Sequence, residues 1–162
     1  MEILRIDETM AEHVAPLVAA FRVTLRGYKG IASEPDVEGG REEILDFLRS
    51  GYPVFAVVDA GEYIGYAVCR IEGPVIWVEH IYVHEDHRRR GVASLLFDKA
   101  EALASSMGGD TVYNYVHPNN DGMIGFLRSK GYTVLNLIEI RKPYDGEKLN
   151  EKIDVNGHLF DY

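Results

Sequence analysis

The chain has 162 residues, the size of one domain able to bury its own core, and its 46% hydrophobic and 10% aromatic content is that of an ordinary globular protein. Its formal net charge is −9, from 17 basic and 26 acidic residues, which makes it a poor nucleic-acid binder. No apolar run approaches the ~20 residues of a membrane span, Met1–Arg5 lacks the basic-then-apolar order of a signal peptide, and the single cysteine, Cys69, permits no intrachain disulfide, which suits a reducing, cytoplasmic setting.

Period-2 and helical patterns alternate along the chain, which predicts mixed α/β packing in one unit. Ile3–Ile6 reads as a short strand. Thr9-Met10-Ala11-Glu12 has the capping-box pattern that opens a helix, and Pro16 inside that helix is expected to kink or restart it. Residues 26–40, rich in glycine and charge, read as a loop, and a second helix is expected over roughly 41–50, with Ile44, Leu45 and Leu48 on one face. Val54–Asp59 and Tyr63–Ile71 read as a hairpin turned at Ala60-Gly61, and Val75–His84 as a third long strand. Cys69, in the apolar stretch Tyr66–Ile71, is expected to be a small buried hydrophobe. A helix over 91–107 ends at Gly108-Gly109. Thr111–Val116 is expected to be a strand, 121–130 a short helix closed by Gly131, and Tyr132–Arg141 another strand. In the tail, Asn156-Gly157 between alternating residues is a strong hairpin signal, and Ile153–Tyr162 is expected to pack on the body or on a second subunit.

The sharpest chemical feature is His87-Arg88-Arg89-Arg90-Gly91-Val92-Ala93-Ser94, between a strand and a helix. Such a junction aims unpaired backbone N–H groups and the positive end of the helix dipole at one spot. Gly91 and the small Ala93 let a ligand approach the backbone, and three arginines favour a pyrophosphate. The arginine run is isolated in an acidic chain, which argues against nucleic acid. His80, His84 and His87 do not make a metal site: on a strand, His80 and His84 stand about 13 Å apart, too far to share one ion.

Arg88-x-x-Gly91-x-Ala93, five residues after Val83, resembles the acetyl-CoA signature of the GNAT acetyltransferase superfamily. The strand Val78-Glu79-His80-Ile81-Tyr82-Val83 resembles that family's fourth strand. Asn120-x-x-Met123-Ile124-x-Phe126-Leu127-x-x-x-Gly131-Tyr132 resembles its downstream block. Element order follows the family over about residues 1–142, which the resemblance makes the acetyltransferase domain, with 143–162 as a C-terminal extension. The implied fold is α/β of the mixed α+β kind: a splayed mixed sheet of about six to seven strands, about four flanking helices and a C-terminal hairpin.

The resemblance implies that acetyl-CoA, as co-substrate and without a metal, enters the V between the strand ending at Val83 and the strand ending at Val116. Ile81, Tyr82 and Val83 would meet the pantetheine as an added strand does. Arg88, Arg89, Arg90, Gly91, Val92, Ala93 and Ser94 would hold the pyrophosphate. Asn120 and Phe126 would complete the cofactor site, Asn120 also serving as a helix N-cap. The implied activity is transfer of the acetyl group to a primary amine of a small molecule, peptide or protein, in a ternary complex. No nucleic-acid or membrane partner is expected, and a homodimer is compatible with the tail.

The catalytic groups depart from the family pattern. The position of the usual tyrosine acid holds Leu127, which has no proton to give, and the position where some relatives carry a glutamate base holds Tyr115. Glu79 stands two residues along the fourth strand from another family glutamate, on the same face by strand periodicity, and is the candidate base. Tyr115 is the candidate acid, with an aromatic wall shared with Tyr113 as its alternative role. Loss of the usual acid also fits a CoA-binding sensor or interaction domain.

Overall fold

A computed structural model describes residues 1–162. The chain divides into two compact units, residues 1–126 and 127–162. In the first, β1 (Glu2–Arg5), β2 (Val54–Asp59), β3 (Glu62–Glu72), β4 (Val75–Val83) and β5 (Tyr113–Asn114) form one sheet in sequence order. All neighbours are antiparallel except β4 and β5, which run parallel. The helices are α1 (Ala11–Tyr28), α2 (Val37–Arg49), α3 (Val92–Ser106) and α4 (Asp121–Ser129), the last crossing from one unit into the other. This is the mixed α+β architecture expected from the sequence.

Both faces of the sheet are covered, so β3 reads as a continuous apolar run, buried from Ile64 to Cys69. On one face Val14, Leu17 and Val18 of α1 and Ile44 and Leu45 of α2 pack on Val54, Ala56, Tyr66 and Val68. On the other, Val92 and Leu96 of α3 pack on Val57, Ile64, Ala67 and Val83. A fully buried valine, leucine or isoleucine among these contributes about 1.5–3 kcal/mol. Cys69 is buried as expected, and burial pushes its thiol up to about 12.

Several boundaries differ from the sequence reading. The first cap is Asp7, whose carboxylate accepts from the Thr9 amide and hydroxyl and opens a 3-10 turn over Glu8–Met10; Thr9 lies inside that turn, and α1 follows from Met10 with no side-chain cap. α1 then runs through Pro16 without interruption to Tyr28, and α2 starts at Val37 behind the Asp36 cap, so the loop between them is only residues 29–36. Gly39 and Gly40, which suggest a loop, lie in the first turn of α2. A Cβ on Gly40 would stand 2.7 Å from the Ala15 carbonyl oxygen and 3.2 Å from the Ala19 nitrogen, so this glycine lets α2 lie directly on the α1 backbone.

β5 is two residues long rather than six, because its ladder with β4 covers only Trp77↔Tyr113 and Val78↔Asn114. In the second unit no helix or strand forms between Tyr132 and Glu151, and the strand expected at 132–141 is absent. Its alternation is imperfect: Val134, Leu135, Leu137, Ile138 and Ile140 are all exposed, and the segment joins no ladder. The tail does form the expected hairpin, β6 (Lys152–Val155) against β7 (His158–Asp161), with Asn156 and Gly157 both at positive φ, 56° and 85°, as a type I′ turn demands. No helix is long and apolar enough to cross a membrane.

Candidate active site

The geometry starts from one extra residue. Along β3–β4, Val68 faces His80 and Cys69 faces Val78, so Glu79 has no opposite number and forms a bulge. The β4–β5 ladder stops at Val78, one residue before that bulge. From Glu79 to Val83 the outer edge of β4 therefore meets no strand. That edge carries unpaired backbone groups suited to an extended ligand.

Opposite residues of an antiparallel pair share a face, as do alternate residues of one strand. Arg70 faces Trp77, Val68 faces His80 and Tyr66 faces Tyr82, so Trp77, His80 and Tyr82 all lie on the α1–α2 side, the bulge having absorbed the phase change. Glu79 also reaches this side: its Oε2 accepts from Arg70 Nε at 2.8 Å, and its side chain is 30% exposed. Arg70 lies over the Trp77 ring, 5.1 Å from its centroid, and pairs with Glu72 as well. Trp77 in turn stacks on Tyr115 at 4.6 Å and meets Tyr113 at 5.1 Å. Tyr115 is 67% exposed and lies just beyond β5.

Behind Glu79, His80 is 4% exposed. Its Nδ1 lies 3.0 Å from the Tyr66 hydroxyl, and its Nε2 lies 3.3 Å from Arg22 and 3.4 Å from Glu43, which themselves form an ion pair joining α1 to α2. Burial, and then the Arg22 charge, lower its pKa to about 3, so the ring is neutral. Burial likewise raises the Tyr66 hydroxyl well above its ordinary value. His80 is thus a core histidine tying β4 to both helices.

At the far end of β4, Gly91 caps α3 at φ 83°, with no side chain closing the helix. The first amides of α3, at Val92, Ala93 and Ser94, are the orphan donors of that terminus. A Cβ on Gly91 would meet nothing within 4 Å, so the space in front is open. The three arginines are not equivalent. Arg88 turns back, donating from Nε to the Val83 carbonyl at 3.1 Å and lying over Tyr82. Arg90 pairs with Asp59 at 2.7 Å and touches His87. That Arg90 hydrogen bond, and then the N-terminal ammonium, lower the Asp59 carboxyl. Arg89, at φ 59°, carries the remaining charge of the loop.

The sequence model of the acetyltransferase (GNAT) family matches residues 20–132. The chain belongs to that family. No curated protein matches it by sequence. Among solved structures it is similar to an aminoglycoside 6'-N-acetyltransferase from Acinetobacter haemolyticus (TM-score 0.66, 20% identity, covering 90% of this chain and 100% of that one). It is also similar to an aminoglycoside N-acetyltransferase in complex with CoA (TM-score 0.62, 22% identity, 88% and 100% covered). A ribosomal-protein-alanine N-acetyltransferase from Brucella melitensis biovar Abortus gives TM-score 0.66 and 19% identity, with 88% and 98% covered. These likenesses concern the fold.

The candidate cofactor residues lie in three places, on β4, at the start of α3 and at α4. Ile81, Tyr82 and Val83 lie on the open edge of β4, and Gly91 to Ser94 lie at the α3 terminus. Asn120 Oδ1 accepts from the Met123 amide at 3.0 Å and so caps α4. The Phe126 ring stands edge-on to Phe97 of α3 at 5.4 Å. Leu127 is a buried position of α4. Sequence reasoning missed Arg70 as the partner of Glu79, and it missed the Tyr66–His80–Arg22–Glu43 group. The alternation Tyr66, Val68, Arg70 on β3 was the available signal for the first; nothing local announces the second, whose members come from four elements.

Proposed function

We propose that this domain binds acetyl-CoA and transfers the acetyl group to a primary amine, by direct attack in a ternary complex. The observation that carries the reading is the opening of β4 from β5 at the bulge, which sets a carboxylate, Glu79, beside an unpaired strand edge. The residues present fit the co-substrate. The open edge from Glu79 to Val83 matches the paired amides of a pantetheine arm, and the uncapped α3 terminus with Arg89 matches a pyrophosphate.

An amine must lose a proton to attack the thioester carbonyl. Arg70 occupies Glu79 Oε2, which leaves Oε1 to take that proton, directly or through water. The C–N bond forms, the C–S bond breaks, and the sulfur leaves as a thiolate. With a thiol pKa near 8.5 the thiolate is a tolerable leaving group without a strong acid; Tyr115, water or the ammonium formed on the acceptor returns its proton. The buried Cys69 thiol and the absence of any second cysteine suit a cytoplasmic location. Leu127, in place of a proton donor, favours the second reading of a CoA-binding sensor. Release of free thiol from acetyl-CoA in the presence of a panel of amines tests the first reading; CoA binding without thiol release would support the second.

A further inference from the structure

The α1 helix carries a charge pattern that the acetyl-transfer chemistry does not use. Arg22, Arg26 and Lys29 recur at i, i+4 and i+7, with no acidic residue between them, in a chain whose net charge is −9. Like charges at this spacing lie on one helix face and repel. They line a hollow of about 340 Å³ whose only other wall residue is Leu25. Arg22 is neutralised by Glu43, whereas Arg26 and Lys29 make no ion pair. The C-terminal dipole of α1 accounts for a cation near Lys29 but not for a stripe two turns long.

The adjoining hollow between α1 and α2, about 220 Å³, shares Arg22 and Arg26. Two of its three carboxylates are already engaged: Asp36 accepts from the Gly39 amide, and Glu43 holds Arg22. The buried Ser33 hydroxyl in its wall has no partner. Arg22, which lines both hollows, stands 3.3 Å from His80, the strand neighbour of Glu79. The Lys29 charge also contributes, after burial, to lowering His117 in the β5–α4 turn, and Tyr28 stacks on that histidine at 5.7 Å.

We propose that the Arg22–Arg26–Lys29 stripe recognises the acceptor, and that the acceptor is a small amine whose far end carries an anionic group, a carboxylate or a phosphate. The inference rests on the acetyl-transfer reading and narrows it. A cationic stripe attracts an anionic tail and repels a polycation. The chain would therefore differ in acceptor class from the aminoglycoside-modifying enzymes whose fold it shares.

The test uses matched amines with acetyl-CoA and the whole chain: glutamate against its diamide, phosphoethanolamine against ethanolamine, and spermidine as the polycation. The expected result is a kcat/KM for at least one anionic member about tenfold or more above its neutral partner, with spermidine poorest. In the folded double variant Arg26→Glu/Lys29→Glu that preference disappears, while CoA affinity by calorimetry stays unchanged. Preference for the neutral amines or for spermidine overturns the proposal, as does a loss of CoA affinity in the double variant, which would assign the stripe to the phosphates of the co-substrate. If no amine releases thiol, the acetyl-transfer reading fails for these acceptors, and glutamate and phosphoethanolamine are titrated into CoA-saturated protein. Binding that the double variant abolishes upholds an anion site; no binding overturns it.

Discussion

Arg70 Nε donates to Glu79 Oε2 across 2.8 Å, from near the end of β3 to the bulge of β4. The pair fixes one carboxylate oxygen on the strand edge where β5 departs. If Glu79 is a positioned base, Glu79→Gln lowers the thiol-release rate by roughly 10²-fold. Arg70→Gln, which frees the carboxylate, lowers kcat with little change in the KM for acetyl-CoA. Tyr115→Phe costs less than tenfold, since that ring is exposed and stacks on Trp77, a contact that phenylalanine keeps. A large loss in Tyr115→Phe with an intact Glu79→Gln would reverse the two roles.

The phosphate-loop prediction separates backbone from charge. Gly91 sits at φ 83° with open space where a Cβ would go, so Gly91→Ala strains only the backbone, by about 1–2 kcal/mol. Its effect on CoA affinity is up to about thirtyfold. Gly91→Asp adds a negative charge facing the pyrophosphate and abolishes binding. Arg89→Ala weakens CoA by about 1.5–3 kcal/mol if its charged hydrogen bond is shielded from water, whereas Arg90→Ala, whose guanidinium is held by Asp59, has little effect on affinity. Calorimetry on folded variants reads all four. Equal CoA binding by Gly91→Asp and the parent would remove the loop from the site.

How much of this was legible in the sequence follows from the range of the forces involved. β2, β3, α3 and the Asn156-Gly157 hairpin were legible to within a residue or two because their signals are local: apolar period, a glycine stop, a two-residue turn. The start of α2 was hidden because Gly39-Gly40 looks like a loop until α1 is packed against it. The lengths of β5 and of the stretch after Gly131 depend on a partner edge, which no local pattern supplies. Glu79 was legible as a strand residue in the right motif. Its bulge and its pairing with Arg70 required the β3–β4 register, which a single sequence does not state.

The Gly40 contact predicts a stability effect far from the chemistry. Gly40→Ala places a Cβ 2.7 Å from the Ala15 backbone oxygen, an atom that cannot rotate away. Overpacking of this kind costs about 1–3 kcal/mol, or about 2–4 °C in Tm per kcal/mol at this chain length. A thermal melt monitored by circular dichroism is the measurement. A Tm equal to that of the parent would show that α2 shifts freely along α1.

His80 gives the chain a definite acid response. Its pKa falls from the ordinary 6.5 to about 3 in the folded state, first by burial and then by the Arg22 charge. Between these values the unfolded chain binds a proton that the folded chain refuses, so unfolding takes up protons and stability falls as pH falls. The loss from this one group sets in below pH 6.5, at up to about tenfold in the unfolding equilibrium per pH unit, and ends near pH 3. The titratable and charged groups facing the ring are Tyr66 of β3, Arg22 of α1 and Glu43 of α2, of which Glu43 is the one that can offset the penalty, by pairing with the imidazolium at 3.4 Å. His80→Gln keeps a hydrogen-bonding side chain and removes the titration. At pH 7 the variant is expected to be less stable than the parent, because the amide cannot reproduce both ring contacts. On acidification from pH 6.5 to pH 4 its stability should fall less steeply than the parent's, so that the two curves converge. Urea unfolding of both proteins across this range measures the slopes. Parallel curves would mean that the folded protein takes up the His80 proton as readily as the unfolded chain does, with Glu43 as its counter-charge.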